Sequence, residues 1–377
     1  MLASIHALGL ATAFAPDHMA SMAALDELRS AYFRNPGFVG SDFSPQICAF
    51  RDREEIGDAQ VRITALVGEA LEDIATQLSA PGPAALVAGE PLDIILALPE
   101  IDAPGLGGIT SQVAAGLKAE VPEMIFARLK ADFAIEPARA KVVFGGQAAL
   151  MHGLESWKHA PNPGALLLIG VDSYSDRARL NALVSAGRLF SDTAQFGLVP
   201  GEAAGIALCR PDGASGAHAP IAYLLSGGAG TEPVGEMAGA DSTFSGLSEA
   251  CHSAVDALPK ETQISHWMSD WNNGRYRASE ISYAMQRLGA RLIDGIEPSP
   301  PALGFGDCGA AYPLVAIAQA LSEMRNTEQR ALISASSSGA NTRGALILSR
   351  AENAAKKPVT DSVEDRTLIV DLSGLAI

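Results

Sequence analysis

The chain is poor in basic residues: its 27 Lys and Arg are outnumbered by 43 Asp and Glu, which leaves a net charge of −16 with histidine neutral. Nucleic acids and anionic membranes are polyanions, so a strongly acidic protein surface repels both. The composition therefore argues against a nucleic-acid-binding protein and favours an acidic enzyme or a subunit of a protein assembly.

Hydrophobic runs long enough to cross a bilayer are also missing. The apolar run ALLLIGV at 165–171 is one of the longest, and it is far shorter than the roughly 20 residues that a membrane span needs. The N-terminal segment has no Lys or Arg before Arg29, so it lacks the basic region of a secretory signal. We expect a first strand ending in a loop at Pro16, no membrane insertion and a cytoplasmic location.

Cysteine is scarce, and the spacing of its four positions excludes a metal cluster. No CxxC pair and no neighbouring histidine cluster occurs among Cys48, Cys209, Cys251 and Cys308. A disulfide framework is not expected in so long a chain, so we predict reduced and mostly buried thiols. Walker, GxGxxG and Ser-His-Asp patterns are absent as well. We therefore predict no metal and no cofactor.

What the sequence does contain is a series of short apolar runs that alternate with helical patterns. Runs that are apolar at every position are typical of strands buried on both faces, as in a parallel sheet. The alternation predicts an α/β architecture with layered sheets. The predicted strands lie at 82–89, 92–100, 164–173 and 330–339, and the predicted helices at 56–79, 108–134 and 278–293.

Glycine-rich and charged stretches indicate the boundaries. CRPDGASGAHAP (209–220) is interpreted as the end of a first half, and LLSGGAGTEP (224–233) as a loop inside the second. We predict an N-terminal half at 1–217, a C-terminal half at 218–350, and a linker with a C-terminal tail at 351–377.

One segment has the form of a catalytic elbow. In VVFGGQAALMHG (142–153) a β-rich run meets Gly145 and Gly146, and a helix of small residues follows. Enzymes often place a Cys or Ser at such a turn, because the helix N-terminus stabilises developing negative charge. Here that position is Gln147.

Other segments extend this pattern over most of the chain. They resemble, in order and spacing, the β-ketoacyl-acyl-carrier-protein synthases of the thiolase superfamily. The resemblance covers roughly residues 1–350 and implies a thiolase-like layered αβαβα fold made of two similar halves, normally found as dimers. The segments that carry it are GALLLIGVDSYSD (164–176), PGEAAG (200–205), GFGDCGAAYP (304–313) and RALISASSSGANTRGALILS (330–349).

The resemblance also implies where the family's Cys-His-His catalytic residues would lie. His152 matches a histidine of the family's elbow helix and thereby makes Gln147 the nucleophile position. The two histidine positions fall on Asn273 and Gly306, so all three catalytic groups are predicted to be missing. Cys308, close to the third position, is the alternative nucleophile, although a lone Cys among small residues more often serves packing.

Gln at the nucleophile position resembles two groups of the family. Chain-length factors, the inactive partners of type II polyketide synthases, carry it, and so do decarboxylase-type loading ketosynthases. The latter keep both histidines, so their absence at Asn273 and Gly306 argues against a decarboxylase. Nearby, a charged cluster is formed by Asp270, Arg275, Arg277 and Glu280. Such a cluster is more commonly an internal salt-bridge network than a ligand site.

Three functions follow from this resemblance. The first is a non-catalytic homologue acting as a partner or adaptor subunit, either as a homodimer or as a heterodimer with a ketosynthase. Acyl carrier protein or another protein assembly is a further partner in this hypothesis. The second is an acyltransferase of the 3-oxoacyl-ACP synthase type, in fatty-acid or polyketide synthesis, with relocated catalytic residues. The third is an acyl-ligand-binding protein.

Overall fold

Ten strands form one mixed sheet in the computed structural model, which describes residues 1–40, 43–53, 55–78, 91–160, 163–191, 194–211 and 219–351. Within these residues the sheet order is β10-β9-β11-β12-β8-β1-β7-β6-β4-β5, and β2 and β3 form a separate hairpin. The strands are β1 (Ala3–Thr12), β2 (Phe33–Val39), β3 (Pro45–Cys48), β4 (Leu92–Leu98), β5 (Arg139–Phe144), β6 (Ala165–Ser173), β7 (Glu202–Pro211), β8 (Ala222–Thr231), β9 (His266–Ser269), β10 (Pro298–Ser299), β11 (Arg330–Ser336) and β12 (Thr342–Arg350).

Helices cover both faces of this sheet. Those described are α1 (His18–Asp26), α2 (Ala59–Leu78), α3 (Ser111–Phe133), α4 (Ala149–Lys158), α5 (Arg177–Ser185), α6 (Ser245–Asp256), α7 (Arg275–Leu288), α8 (Ala302–Phe305) and α9 (Tyr312–Glu323). Short 3-10 turns at Gly146–Ala148 and Gly309–Ala311 lead into α4 and α9.

The sheet consists of two repeats with the same topology. The first runs β1-β7-β6-β4-β5 and the second β8-β12-β11-β9-β10, so in each repeat the strands lie in the order first, fifth, fourth, second, third. The directions also agree, because the fifth strand is antiparallel to both of its neighbours and the remaining pairs are parallel. This arrangement confirms two similar halves. The predicted boundary at residue 217 lies outside the described residues and stays a prediction.

Two helices lie between the halves and complete the layers. α4 and α9 contact strands of both repeats, and the largest apolar cluster joins them to the strands of both repeats. On the outer faces, α2 and α3 cover the first repeat, and α6 and α7 cover the second. The layers therefore follow the order αβαβα, with the strands of each repeat forming one β layer whose two faces are covered by helices. The predicted fold class is confirmed.

Most predicted elements are present, but one interpretation was wrong. LLSGGAGTEP lies mainly in β8, not in a loop. A side-chain carbon at Gly228 would lie 2.0 Å from the carbonyl oxygen of Ala250, and one at Gly230 would lie 2.1 Å from that of Gly246. The glycines therefore let α6 pack directly against the strand, which is a recognised use of glycine in sheets. The predicted strand at 82–89 and the tail at 352–377 lie outside the described residues.

Two further expectations can be compared with the structure. The first strand ends before Pro16, as predicted, and all four cysteines are buried and free of disulfides. Among the described helices, none combines the length and the apolar character needed to cross a membrane. The cytoplasmic location stays a prediction.

Candidate functional site

The predicted elbow forms at the junction between β5 and α4. Gly146 adopts the left-handed backbone (φ +61°) and begins the 3-10 turn, and a side-chain carbon there would lie 3.1 Å from Cγ of Glu100. The left-handed backbone favours glycine at this position, and the nearby Glu100 side chain leaves little room for a larger residue. The turn carries Gln147 into the interior, where the residue is only 6% exposed.

Each half of the molecule caps the central helix of the other. The Ser337 hydroxyl, which follows β11, donates to the carbonyl of Gly145 and accepts from the Ala148 amide at 2.9 Å. Reciprocally, Asp172 at the end of β6 accepts from the Ala310 amide, just before α9, at 3.3 Å. These contacts satisfy amides at the helix starts that have no partner within the helix. The position of the elbow is consequently set by both halves.

Three buried side chains converge at the elbow. Nε2 of Gln147 donates to Oδ1 of Asp307 at 3.1 Å, and Nδ2 of Asn272 donates to Oδ2 at 2.5 Å. The Gly309 amide adds a third bond to Oδ1 at 2.9 Å. A carboxylate can be buried at modest cost only when such donors surround it. Gln147, Asn272 and Asp307 therefore form one hydrogen-bonded set, which we call the amide–carboxylate triad.

The other two predicted positions lie beside the triad without entering it. Asn273 has a left-handed backbone (φ +70°), and its Nδ2 donates to the carbonyls of Gln195 at 2.7 Å and Gly197 at 3.0 Å. Gly306, also left-handed, contributes no side chain. The side chains that meet Gln147 come from the adjacent positions. These are Asn272, directly before Asn273, and Asp307, directly after Gly306. The sequence signal for Asp307 is its place next to the predicted position.

Cys308 lies on the same loop but is not poised as a nucleophile. It is 4% exposed, and its Sγ lies 3.4 Å from the carbonyl oxygen of Gly306. Burial, followed by the nearby carboxylates of Asp307, Asp172 and Glu202, raises the pKa of the thiol well above its usual range. The reactive form of cysteine is the thiolate, so this thiol is kept in its unreactive state.

Buried ion pairs surround the triad. Arg179 contacts Asp172 at 2.7 Å, Arg277 pairs with Asp270, and Arg343 contacts Glu280 at 2.6 Å; all six side chains are almost fully buried. Burial raises the pKa of each of the three carboxyls, and the arginines oppose that shift. For Glu280 the result is a pKa of about 7.

The predicted internal network in the Asp270–Glu280 segment therefore exists, with two differences in its membership. Glu280 pairs with Arg343 from β12, which lies far away in the sequence. Arg275 is exposed and is not part of the buried network; its guanidinium carbon lies 3.8 Å from the centroid of the Phe196 ring.

The space left beside the triad is small. Gln147, Asn272 and Asp307 border a polar cavity that also reaches Arg188 and Arg277 and that leaves about 20 Å³ for the centres of water molecules. One ordered water needs about this much room. Nε of Arg277 is buried there without a hydrogen-bond partner among the described residues. Across that same part of the chain, no group of three His, Cys, Asp or Glu side chains is placed to bind a metal.

Structural comparison places this architecture among known folds. The oxazolomycin ketosynthase domain OzmH KS7 of Streptomyces albus JA3453 superimposes with a TM-score of 0.67 and 14% identity, over 94% of this chain and 77% of that one. The chain has the thiolase-like fold of ketosynthases. The ishigamide ketosynthase/chain length factor matches with a TM-score of 0.62 and 16% identity, over 92% of this chain and 99% of that one.

A further match is AntDE:AntF, described as a type II PKS acyl-carrier protein in complex with its ketosynthase bound to the hexaketide. It has a TM-score of 0.69 and 12% identity, over 92% of this chain and 99% of that one. The sequence matches no family model and no curated protein. At these identities the likeness shows the fold alone, and function must be argued from the site.

In this ketosynthase-like fold, the triad can do little covalent chemistry. The amides of Gln147 and Asn272 are neutral and are already used as donors, and the Asp307 carboxylate accepts from both. Neither amide can form a thioester, and none of the three is an imidazole able to stabilise an oxyanion as a cation. The arrangement is suited to holding the two halves in register.

Proposed function

We propose that the protein is a non-catalytic homologue of β-ketoacyl synthases that acts as a partner subunit, as chain-length factors do, in fatty-acid or polyketide synthesis. The observation that carries the proposal is the closed triad of Gln147, Asn272 and Asp307. It occupies the elbow at which an acyl-transferring enzyme would need a nucleophile and charge-stabilising groups.

Electrostatics and space both argue against acyl transfer at this site. A thiolate at the elbow would lie near the Asp307 carboxylate, which Gln147 reaches with the end of its longer side chain, and a neighbouring negative charge raises a thiol pKa. The neighbouring cavity accommodates about one water molecule, whereas an acyl chain needs a far larger channel. The site therefore has neither the nucleophile nor the room for an acyl intermediate.

A partner subunit also needs a surface for association, and β5 supplies a candidate. It is the edge strand of the first repeat and pairs with β4 on one side, with no strand on its other side among the described residues. Ala140 and Lys141 are exposed, and the apolar run 142–144 is half-buried. An unpaired edge of this kind is a template for a strand of another chain. We propose that a ketosynthase, or a second copy of this chain, pairs there.

The first experiment tests for covalent chemistry. The purified protein is incubated with an acyl thioester and analysed by intact-mass and peptide mass spectrometry. We expect no acyl adduct, because no thiolate is available. An acyl group on Cys308 would refute the proposal in favour of an acyltransferase with relocated residues. Saturable binding of a long-chain acyl thioester without an adduct would instead favour the acyl-binding alternative.

The second experiment tests for the partner. The tagged chain is purified from its native host together with a variant that carries Ala140→Pro. Gly145 donates its amide to Leu98 of β4, and amide directions alternate along a strand, so the exposed Ala140 offers its amide to the free edge and proline removes it. We expect a ketosynthase to co-purify in a fixed ratio with the native chain and to be depleted with the variant. A chain that purifies as a monomer without any ketosynthase, or equal recovery of the partner with both proteins, would contradict the proposal.

A further inference from the structure

A second surface with the character of a binding site lies on the outer face of the C-terminal half. It consists of Phe196, Phe244, Arg275, Tyr283 and Arg287, and we call it the α7 patch. Phe196 is 54% exposed and Tyr283 is 44% exposed, and Arg275 and Arg287 are also exposed. Aromatic residues and arginine are the types most enriched at the energetic centres of protein interfaces.

The patch is ordered by its own contacts. Arg275 stacks on Phe196 at 3.8 Å, and the guanidinium of Arg287 lies 5.3 Å from the ring centroid of Tyr283. Tyr283 in turn stacks on Phe244 at 5.3 Å. Pre-ordered side chains lose less conformational entropy when a partner binds. The surface is therefore prepared for binding before any partner arrives.

The position of Phe196 depends on Asn273, the residue that the family resemblance matched to a catalytic histidine. Its Nδ2 donates to the carbonyls of Gln195 and Gly197, on either side of Phe196. This residue thereby fastens the 194–198 loop to the start of α7. Its role in the structure is to build the patch.

The positive charge of the α7 patch favours a partner with acidic groups. On α7 the charged residues are Arg275, Arg277, Glu280 and Arg287, and the two in the middle are buried. The exposed side of the helix therefore presents only positive charge, in a chain whose net charge is −16. Neither Arg275 nor Arg287 pairs with a carboxylate among the described residues. Arg287 already donates to the carbonyls of Thr243 and Phe244 and to the Ser248 hydroxyl, which leaves two of its five N–H groups for acidic groups of another molecule.

We propose that the α7 patch docks an acidic segment of a protein partner. Carboxylates of that segment pair with Arg275 and Arg287, and its apolar side chains pack on the exposed rings of Phe196 and Tyr283. A membrane or a nucleic acid would bring an extended polyanionic surface against the acidic remainder of the chain, whereas a short segment meets only the patch. This surface lies on the C-terminal half and is separate from the β5 edge, so its test does not depend on the proposed function.

The test uses a synthetic amphipathic helical peptide with Glu on one face and Leu on the other, and its Lys-for-Glu counterpart as the control probe. Binding is measured by fluorescence anisotropy at low and high salt. We expect the acidic peptide to bind the full chain and the basic peptide not to bind. Because exposed charges are screened over about 10 Å at 0.1 M salt, affinity falls as salt rises.

Variants then locate the site. Arg275→Glu/Arg287→Glu should lower the affinity about tenfold or more, which corresponds to about 1.4 kcal/mol. Lys118→Glu/Lys260→Glu makes the same change of net charge at two other exposed positions and should change the affinity less than twofold. Phe196→Ser, which leaves the charges intact, should weaken binding at high salt as well.

Three results would overturn the assignment. These are no binding of the acidic peptide, equal loss of affinity in the patch and control variants, or tight binding of anionic lipid vesicles that depends on the same two arginines. The last would make the patch a membrane site.

Discussion

Glu280 offers a quantitative test of the buried charge network. Glu280 is only 1% exposed. Its Oε1 accepts a hydrogen bond from Nε of Arg343 at 2.6 Å, and its Oε2 has no hydrogen-bond partner among the described residues. The charged groups that face it are Arg343 from β12, Arg277 from α7 and Asp270 after β9. Burial outweighs the two arginines and raises the pKa of Glu280 from 4.5 to about 7.

The sign of the pH dependence follows from linkage. Between the unfolded pKa and the folded pKa, the folded state binds more protons at Glu280 than the unfolded state does. The contribution of this residue to the free energy of unfolding is therefore greatest at low pH and is lost as the pH rises through about 7. The raised pKa corresponds to about 3 kcal/mol in total, most of which is lost between pH 5 and pH 8.

The perturbation is Glu280→Gln, which keeps the size of the side chain and cannot titrate. The free energy of unfolding of both proteins is measured by urea denaturation at pH 5, 6, 7 and 8. Taking the difference between the two proteins cancels the titration of every other group. We expect the native chain to lose about 2–3 kcal/mol relative to the variant over this range.

The same substitution at Glu249, an exposed residue of α6, is the matched control and should leave the difference flat. A flat difference for Glu280→Gln would show that Arg343 dominates and that the carboxyl titrates below pH 5. A difference that rises with pH would refute the argument from burial altogether.

Three further predictions concern the site. Gln147→Cys should remain unacylated by a thioester substrate in intact-mass analysis, because the Asp307 carboxylate disfavours a thiolate; an adduct would contradict this account. Asp307→Ala leaves two buried amides without an acceptor, and chemical denaturation should show a loss of about 2 kcal/mol or more; an unchanged midpoint would show that the triad contributes no stability. Gly309→Ala would bring a methyl group to 1.8 Å from Oδ2 of Asp172 at a backbone φ of +50°, so a loss on the order of 3 kcal/mol or more is expected. Gly187→Ala, at φ +64° in open space, isolates the conformational cost of about 1–2 kcal/mol; equal losses in the two glycine variants would exclude the steric term.

Much of the fold could be predicted because its determinants are local in the sequence. β4, β6 and β11 follow continuous apolar runs, and the elbow follows from two glycines between a β-rich run and a helix of small residues. Such patterns report burial on both faces and a tight turn directly. The strand β8 escaped prediction because its glycines serve a close approach of α6, and a helix that packs from elsewhere in the chain leaves no mark on the strand's own periodicity.

The site was predicted less completely, for a related reason. Gln147 lies at the elbow, and the two residues joined to it by hydrogen bonds, Asn272 and Asp307, are direct neighbours of the positions Asn273 and Gly306 that the resemblance implied. The choice between two adjacent asparagines depends on the left-handed backbone of Asn273, and that conformation is stabilised by carbonyls of the 195–197 loop. No local pattern distinguishes the two residues.

The sequence by itself therefore determined the alternation of strands and helices, the position of the elbow and the presence of Gln147 there, because these depend on residue type and on short-range periodicity; the αβαβα layering was implied by the family resemblance. Only the tertiary structure decided which side chains form hydrogen bonds around Gln147, which arginine pairs with Glu280, and that β8 is a strand. Each of these depends on groups brought together from distant parts of the chain, and burial makes the pairing of their polar atoms and the fit of their surfaces energetically decisive.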